Sequence, residues 1–155
     1  ARPDHVDLDD GVVRGGYLLE PAAGDGPRVN LLGSGTILFE VMQAANTLRD
    51  EGYAVAVYSI TSYVELARDA ERAEQEDAVD TAWLDTIFPE TDVPTVAATD
   101  YVRALPRMIA SWINGPFTAL GTDGFGKSER RSDLRAHFKV DAASIADAAR
   151  RLASS

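Results

Sequence analysis

The chain has 155 residues, of which 45% are hydrophobic and 26% are charged, a composition typical of one soluble globular domain. Its 15 basic and 25 acidic residues give a net charge of −10, which argues against nucleic acid and anionic membranes as partners because both repel a negatively charged protein. The absence of cysteine excludes disulfides, thiolate catalysis and cysteine zinc sites, and it fits a cytoplasmic location.

The first ten residues are expected to form an extended lead-in to a single domain that covers residues 1–155. The chain opens with Ala1 rather than methionine. Two explanations fit this opening equally well, namely the interior of a longer polypeptide and the removal of a leader.

The first elements form a strand, turn and helix unit. Residues 12–19 predict a strand interrupted by glycines, and residues 21–27 predict a loop. A second strand at residues 29–32 ends at Gly33-Ser34-Gly35, after which apolar residues recur at helical spacing until Gly52.

The middle of the chain repeats this alternation. Residues 55–60 predict a buried strand, and Ser62 with Glu65 fits a capping box that opens a long helix reaching the neighbourhood of Trp83. Residues 96–98 predict the next strand, and residues 101–113 predict a helix with Pro106 near its first turns.

The last third is expected to contain a strand at residues 117–120, a glycine-rich loop, a helix from Ser128 to Phe138, and a final helix capped by Asp141. Strands that alternate with helices of this length imply parallel crossovers. The predicted fold class is therefore α/β, in three layers, with a mostly parallel sheet of about five strands and helices on both faces.

The strongest local motif is the octapeptide GTDGFGKS at residues 121–128, which matches the phosphate-binding P-loop. In that interpretation the loop amides bind phosphate oxygens, Lys127 neutralises the terminal phosphates and Ser128 ligates magnesium. The short segment after Ser128 leaves no room for a later strand with a carboxylate directed at the metal. A tight turn that needs small residues is the alternative.

Other candidate sites are weaker. Gly33-Ser34-Gly35 lacks the third glycine of a dinucleotide-binding fingerprint, so a structural turn is favoured. The two histidines, His5 and His137, are far apart and show no metal-binding spacing. The acid-rich stretch 68–80 carries compensating arginines and is typical of a solvated helix face. A nucleophile elbow is missing around four serines: Ser34, Ser59, Ser62 and Ser111.

Several blocks resemble, in order, the carboxy-terminal part of homodimeric-type pyruvate dehydrogenase decarboxylating components. Together they cover nearly the whole chain: DDGVVRGGYLL at 9–19, LLGSGTIL at 31–38, YSITSYVELARD at 58–69, VAATDY at 96–101, LGTDGFGKS at 120–128 and HFKVDA at 137–142. The position of Lys127 is typically arginine in this family, so the P-loop match looks accidental.

The resemblance implies a transketolase-type third domain that packs at a dimer interface. Thiamine diphosphate and magnesium would lie between two other domains, so no catalytic, cofactor-binding or metal-binding residue is transferred to this chain. The complete enzyme would decarboxylate pyruvate and pass the acetyl group to a lipoyl group. The implied partners are the remaining domains, a homodimer partner, and a dihydrolipoyl acyltransferase component or acyl carrier.

The resemblance also directs attention to one surface. The turn formed by Asp123, Gly124, Phe125, Gly126 and Ser128 follows the carboxyl end of a strand, where doubly wound sheets place their contacts, so it is the candidate interface. A plain connector is the alternative. Loss of the neighbouring domains is expected to expose an apolar patch and to cause self-association.

Two departures from the family keep three functions open. The segment between Pro89 and Val96 is shorter than usual, and the amino-terminal two thirds of the enzyme are absent. The first hypothesis is an excised assembly domain of a pyruvate dehydrogenase. The second is a free-standing subunit of a split thiamine-diphosphate enzyme that transfers a two-carbon unit to an acyl carrier, and the shortened segment favours it slightly. The third is a P-loop nucleotide-binding module.

Overall fold

The computed structural model describes residues 8–75, 81–123 and 139–155. The strands of this part are β1 (Gly16–Glu20), β2 (Arg28–Ser34), β3 (Ala54–Ile60), β4 (Thr95–Ala98) and β5 (Phe117–Leu120). The α-helices are α1 (Leu8–Val13), α2 (Leu38–Asp50), α3 (Tyr63–Gln75), α4 (Trp83–Ile87), α5 (Ala104–Arg107) and α6 (Ala142–Ala153). Two short 3₁₀ turns lie at Gly35–Ile37 and Ala110–Trp112.

The strands form one sheet in the order β1-β3-β2-β4-β5. β2 is parallel to β3 and β4, and β4 is parallel to β5, whereas β1 joins the outer side of β3 in the antiparallel direction. The register places Asn30 beside Ala56 and Thr95, and Gly33 beside Ser59 and Ala98. The mostly parallel sheet confirms the predicted fold class.

Helices cover both faces of the sheet because the central strands are apolar on both sides. Every residue of β3 is buried. On one face, Val29, Leu31 and Val57 pack with apolar residues of α2 and α6. On the other face, Leu32 and Tyr58 pack with apolar residues of α3, α4 and the segment that contains Ile109. The result is the expected three-layer arrangement.

The amino-terminal elements differ from the sequence prediction. Residues 8–13 form α1, whereas residues 8–10 were expected to be extended and residues 12–19 to form one strand. The amide of Arg14 donates to the Asp10 carbonyl at 2.8 Å, so the helical turn continues up to the glycine pair. β1 therefore begins only at Gly16.

Two helix predictions were too long. The segment 101–113 forms only α5 and a 3₁₀ turn, because Pro106 has no amide donor and several of its neighbours bond to the residue three positions earlier. This spacing buries both Pro106 and Ile109. The helix that begins at Tyr63 was predicted to reach Trp83, but residues 81 and 82 are not helical and α4 starts anew at Trp83.

Both helix caps that lie in the described residues are confirmed. The Ser62 hydroxyl accepts a hydrogen bond from the Glu65 amide at 3.2 Å, and the Asp141 carboxylate accepts one from the Ser144 amide at 3.0 Å. The predicted helix from Ser128 to Phe138 lies outside the described residues.

Candidate functional site: the carboxyl edge of the sheet

The carboxyl ends of β2, β3, β4 and β5 lie at one edge of the sheet because these strands are parallel. Ligands and partners of doubly wound sheets bind at this edge, since the loops that leave it are not constrained by the sheet. The edge is formed by the residues that follow each strand, and the antiparallel β1 brings α1 to the same end.

A chain of hydroxyl groups crosses the edge between β2 and β4. The Ser34 hydroxyl donates to Thr99 Oγ1 at 3.0 Å, and the same oxygen accepts the Tyr101 amide at 3.2 Å. Thr99 is fully buried. These bonds fix the direction in which the chain leaves β4, so Tyr101 projects outward and is 62% exposed.

The loops that follow β4 and β5 are bonded to each other. Thr122 donates its amide to the Tyr101 carbonyl at 2.9 Å and its hydroxyl to the Asp100 carbonyl at 2.6 Å. Gly121 allows this close approach, since a Cβ atom there would lie 2.6 Å from the Tyr101 carbonyl oxygen. The two loops therefore form one rigid unit.

Asp123 completes that unit. Its carboxylate accepts the Arg103 amide at 2.8 Å and forms an ion pair with the Arg103 guanidinium. The bond from the Arg103 amide, followed by the bond from its side chain, lowers the pKa of Asp123, so the carboxylate is charged at neutral pH. Asp123 is the first residue of the predicted interface, and the structure shows it bonded to Arg103 in the loop after β4.

The turn between β2 and α2 meets the same loops. The Thr36 hydroxyl donates to Asp100 Oδ2 at 3.2 Å, so a carboxylate stands beside the Gly33-Ser34-Gly35 turn. A negative charge at this position repels a phosphate group. The geometry agrees with the structural interpretation of this turn.

Large apolar side chains are exposed around the edge. We call Val12, Val13, Phe39, Tyr101 and Val102 the edge patch, and their exposed fractions run from 48% to 76%. Phe39 lies in the first turn of α2, and the α1 residues are tied to the end of β3 because Thr61 donates its hydroxyl to the Val12 carbonyl at 2.8 Å. Exposed apolar surface around one edge is typical of a protein interface.

A small pocket of about 190 Å³ lies at the same edge. We call it the edge pocket, and its lining includes Ser34, Ile60, Thr61, Val64, Tyr101 and Leu105. The hydroxyls of Ser34 and Thr61 are already used in the bonds described above. The remaining wall is largely apolar, so the pocket suits an apolar side chain better than a polar ligand.

Most of the other candidate residues from the sequence lie outside the part of the chain that the structure describes. Gly124, Phe125, Gly126 and Ser128 of the predicted interface lie outside the described residues, as do Lys127 and both histidines. The acid-rich stretch is exposed over residues 71–75 except for the half-buried Ala73, but Asp69 is only 11% exposed and binds three donors: Arg14, Arg72 and the Trp83 amide. Asp69 is therefore a partly buried link between elements rather than part of a solvated face.

Among the described residues, no group of three or more His, Cys, Asp or Glu side chains could hold a metal ion. No helix in the described ranges is long and apolar enough to span a membrane.

Sequence reasoning missed the edge patch. Tyr101 and Val102 were assigned to a helix, and Val12 and Val13 to a strand, so their exposure at one edge was not apparent. The sequence did contain one signal for this surface. Tyr101 and Val102 directly follow Asp100 at the carboxyl end of a strand, where a loop on the surface is expected to begin.

Comparisons with known proteins agree with the fold. The family model described as the transketolase-like TK C-terminal domain matches residues 15–141. The chain is 40% identical over 147 residues to the pyruvate dehydrogenase E1 component of Escherichia coli strain K12, and this match covers 91% of the chain but only 17% of the relative's length. The resemblance identified from the sequence is confirmed.

Solved structures support the same architecture. The transketolase from Leishmania mexicana is similar with a TM-score of 0.64 at 23% identity, over 94% of this chain and 19% of that one. A structure titled split gene transketolase, inactive beta4 tetramer, is similar with a TM-score of 0.61 at 15% identity, over 99% of this chain and 47% of that one. At these identities the likeness shows the fold.

Proposed function

The chain belongs to the transketolase-like C-terminal domain family, and from this we propose that it is the carboxy-terminal assembly domain of a thiamine-diphosphate-dependent pyruvate dehydrogenase. The observation that carries the proposal is the 40% identity to a pyruvate dehydrogenase E1 component over 91% of the chain. The match covers only 17% of that relative, so the proposal gives the chain a role in assembly and assigns the chemistry to the other domains.

In this proposal thiamine diphosphate and magnesium bind to the other domains. The cofactor supplies the carbanion chemistry of decarboxylation when it is bound. The contribution of this chain is to bind and orient the neighbouring domains. The proposed partners are those domains, a second subunit, and an acyltransferase that receives the acetyl group, in a cytoplasmic complex.

The proposed docking face is the carboxyl edge, which includes Asp123 and the edge patch. Interfaces place apolar anchors in pockets and surround them with contacts that exclude water. The edge pocket has the dimensions of such an anchor site, and the exposed residues of the edge patch lie around the same edge. Hydrogen bonds between the loops hold the surface in place before docking, which lowers the entropic cost of binding.

Mixing the chain with the remaining domains of the enzyme tests the proposal. We expect thiamine diphosphate to bind and pyruvate to be decarboxylated only when the two parts are combined with magnesium. Isothermal titration measures both the association and the cofactor binding. Cofactor binding by this chain alone would contradict the proposed division of roles.

A matched pair of substitutions on α3 tests the docking face. Val64 lines the edge pocket, whereas Glu71 is exposed two turns further along the helix. We expect Val64→Trp to weaken association by at least about tenfold, since it fills the pocket, and Glu71→Trp to leave it unchanged. Equal affinities of the two variants would place the interface elsewhere on the domain.

A second candidate function is a separate subunit of a split thiamine-diphosphate enzyme that transfers a two-carbon unit to an acyl carrier. It is favoured by the similarity to the structure titled split gene transketolase, of which this chain covers 47%. The coding sequence upstream distinguishes the two functions. A continuous reading frame supports an excised domain, and separate genes for the other domains support a split enzyme.

A further inference from the structure

A second cavity of the described residues lies near the amino ends of the parallel strands. Its volume is about 380 Å³, and it lies beside the first residues of β2, between the sheet and α4. We call it the amino-edge cavity. Its size falls within the range of small-molecule sites, which is about 300–1,000 Å³.

The walls of the amino-edge cavity are aromatic and held in place. The rings of Tyr58 and Phe88 lie 4.4 Å apart between centroids. The indole of Trp83 donates to the Gly16 carbonyl at 2.8 Å, and the Arg14 guanidinium lies 4.5 Å from the centre of its ring. An ordered aromatic wall provides flat apolar surface without a cost for ordering it on binding.

The floor contains a buried amide that is not fully used. Asn30 is 8% exposed, and its Nδ2 lies 3.5 Å from Thr95 Oγ1, at the limit of a hydrogen bond. An asparagine amide can make four hydrogen bonds, so this side chain can form further bonds to a molecule in the cavity that it lines. Among the described residues we find no donor to its carbonyl oxygen. A bound molecule with a complementary amide would satisfy this side chain.

The charges at the rim cancel each other. Arg28 Nε and Glu90 Oε2 lie 2.9 Å apart, and both side chains are about half exposed. A paired rim gives no net attraction for an anion or a cation. Tyr58 offers a neutral hydroxyl beside the same pair, because burial and the Glu90 carboxylate raise its pKa to about 12.

From the cavity volume, the ordered aromatic wall, the buried Asn30 amide and the neutral rim, we propose that the amino-edge cavity is a binding site for a small uncharged aromatic or heteroaromatic carboxamide. The ring lies against the aromatic wall, and the carboxamide pairs with the Asn30 amide and the Tyr58 hydroxyl. The site does not depend on the proposed assembly function, since it shares no residue with the edge patch or the edge pocket.

Benzamide is the test ligand, and nuclear magnetic resonance of the full chain is the readout. We expect saturable shifts of the Trp83 indole N–H and the Asn30 side-chain amide, with a Kd of about 1 mM, as expected for a ligand of this size. Benzoate tests selectivity against charge, and toluene tests the contribution of the amide. Both are expected to bind at least about tenfold more weakly, because the rim is neutral and the floor is polar.

Two substitutions locate the site. Asn30→Leu is expected to weaken benzamide binding by about tenfold, and Tyr58→Phe by about fivefold, because each removes one polar partner. Tyr53→Phe makes the same chemical change on the opposite face of the sheet and is expected to have no effect. Circular dichroism verifies that each variant is folded. If Asn30→Leu unfolds the chain, Tyr58→Phe alone tests the location of the site. The absence of saturable shifts, equal binding of toluene, or equal effects of the two tyrosine variants would overturn the proposal.

Discussion

Tyr63 carries a buried hydroxyl without a hydrogen-bond partner among the described residues. It is the first residue of α3, and only 5% of it is exposed. Burial also raises the pKa of Tyr63, because the charged phenolate would be poorly solvated there. A hydroxyl in this state costs free energy of folding without a compensating bond.

We therefore expect Tyr63→Phe to raise the free energy of unfolding by about 1 kcal/mol, since it removes the unpaired hydroxyl and keeps the ring. Urea denaturation measures the change. Tyr53→Phe, on the opposite face of the sheet, is the control and should change the stability by less than about 0.5 kcal/mol. A loss of stability in Tyr63→Phe would show that the hydroxyl has a partner.

Tyr58 makes stability depend on pH in the alkaline range. Burial, reinforced by the Glu90 carboxylate and opposed by Arg28, raises its pKa from 10.0 to about 12. Below pH 10 the hydroxyl is protonated in both states and has no effect. Between pH 10 and 12 the unfolded tyrosine loses its proton first, so the folded state loses stability as the pH rises.

At pH 11 this linkage should cost about 1 kcal/mol relative to pH 8. We expect the wild-type chain to lose that much more stability than Tyr58→Phe over this interval, as measured by urea denaturation at each pH. The contribution of Tyr63 to the pH dependence of stability is the same in both chains, so it cancels when they are compared. Parallel pH profiles would mean that Tyr58 titrates normally in the folded chain.

Asp69 joins three elements through one carboxylate. It accepts the Arg14 guanidinium at 3.2 Å, the Arg72 guanidinium at 2.7 Å and the Trp83 amide at 2.6 Å. These bonds tie α3 to the start of α4 and to the segment before β1. Removal of the carboxylate leaves the amide and the cations without their partner.

We expect Asp69→Ala to lower the free energy of unfolding by about 2 kcal/mol, because three bonds to a partly buried charged group are lost. Asp85→Ala on α4 is the control, since that side chain is exposed, and its effect should be within about 0.5 kcal/mol. Thermal and urea denaturation of both variants check this. Equal effects would show that the Asp69 carboxylate does not hold the elements together.

Gly15 links α1 to the carboxyl edge. Its φ is +104°, and a Cβ atom would lie 2.5 Å from the Ser62 carbonyl oxygen. Gly24 has a similar φ of +93°, but nothing lies within 4 Å of its Cβ position. Substitution by alanine therefore strains the backbone at both positions, but only at Gly15 does the new Cβ atom also clash with a neighbouring atom.

Alanine at both glycines separates these costs. We expect Gly15→Ala to destabilise the chain by about 2 kcal/mol more than Gly24→Ala, because the backbone of the α3 start has to move. Urea denaturation of the two variants gives the difference directly. A difference near zero would indicate that the contact between Gly15 and Ser62 relaxes without cost.

The sequence correctly predicted the elements in which the apolar pattern and the capping or turn residues indicate the same boundaries. β5 matches residues 117–120 without change, and α2 and α6 were correctly located from apolar spacing, with the Asp141 cap also correct for α6. The segment 101–113 failed because its apolar residues fit a helix, whereas the bonds of Thr99 and Asp123 hold its start as a loop. Long-range bonds of this kind leave no local signal. The edge patch was missed for a different reason, since Val12 and Val13 were assigned to a strand and Tyr101 and Val102 to a helix.

At the scale of the whole molecule, the docking face and the amino-edge cavity have separate linings, since the edge pocket and the cavity share no residue. They are connected on one side, because Trp83 of the cavity wall bonds to Gly16 and lies against Arg14, which follows Val13 of the edge patch. Asn30 and Tyr58 take no part in that connection. Substitutions of these two residues are therefore expected to leave assembly unchanged, so that ligand binding can be tested separately.

The edge patch makes a last prediction about the isolated chain. With no neighbouring domain present, two copies are expected to associate weakly through this surface, because exposed apolar area is removed from water on contact. Val102→Asp should reduce the association measured by sedimentation velocity at high concentration, since a buried charge would be unpaired. Met108→Asp changes a residue of comparable exposure outside the edge patch, 41% against 49%, and should not reduce it. A monomeric wild-type chain at all concentrations would show that the edge patch does not bind to itself, whereas equal loss in both variants would point to net charge as the controlling factor.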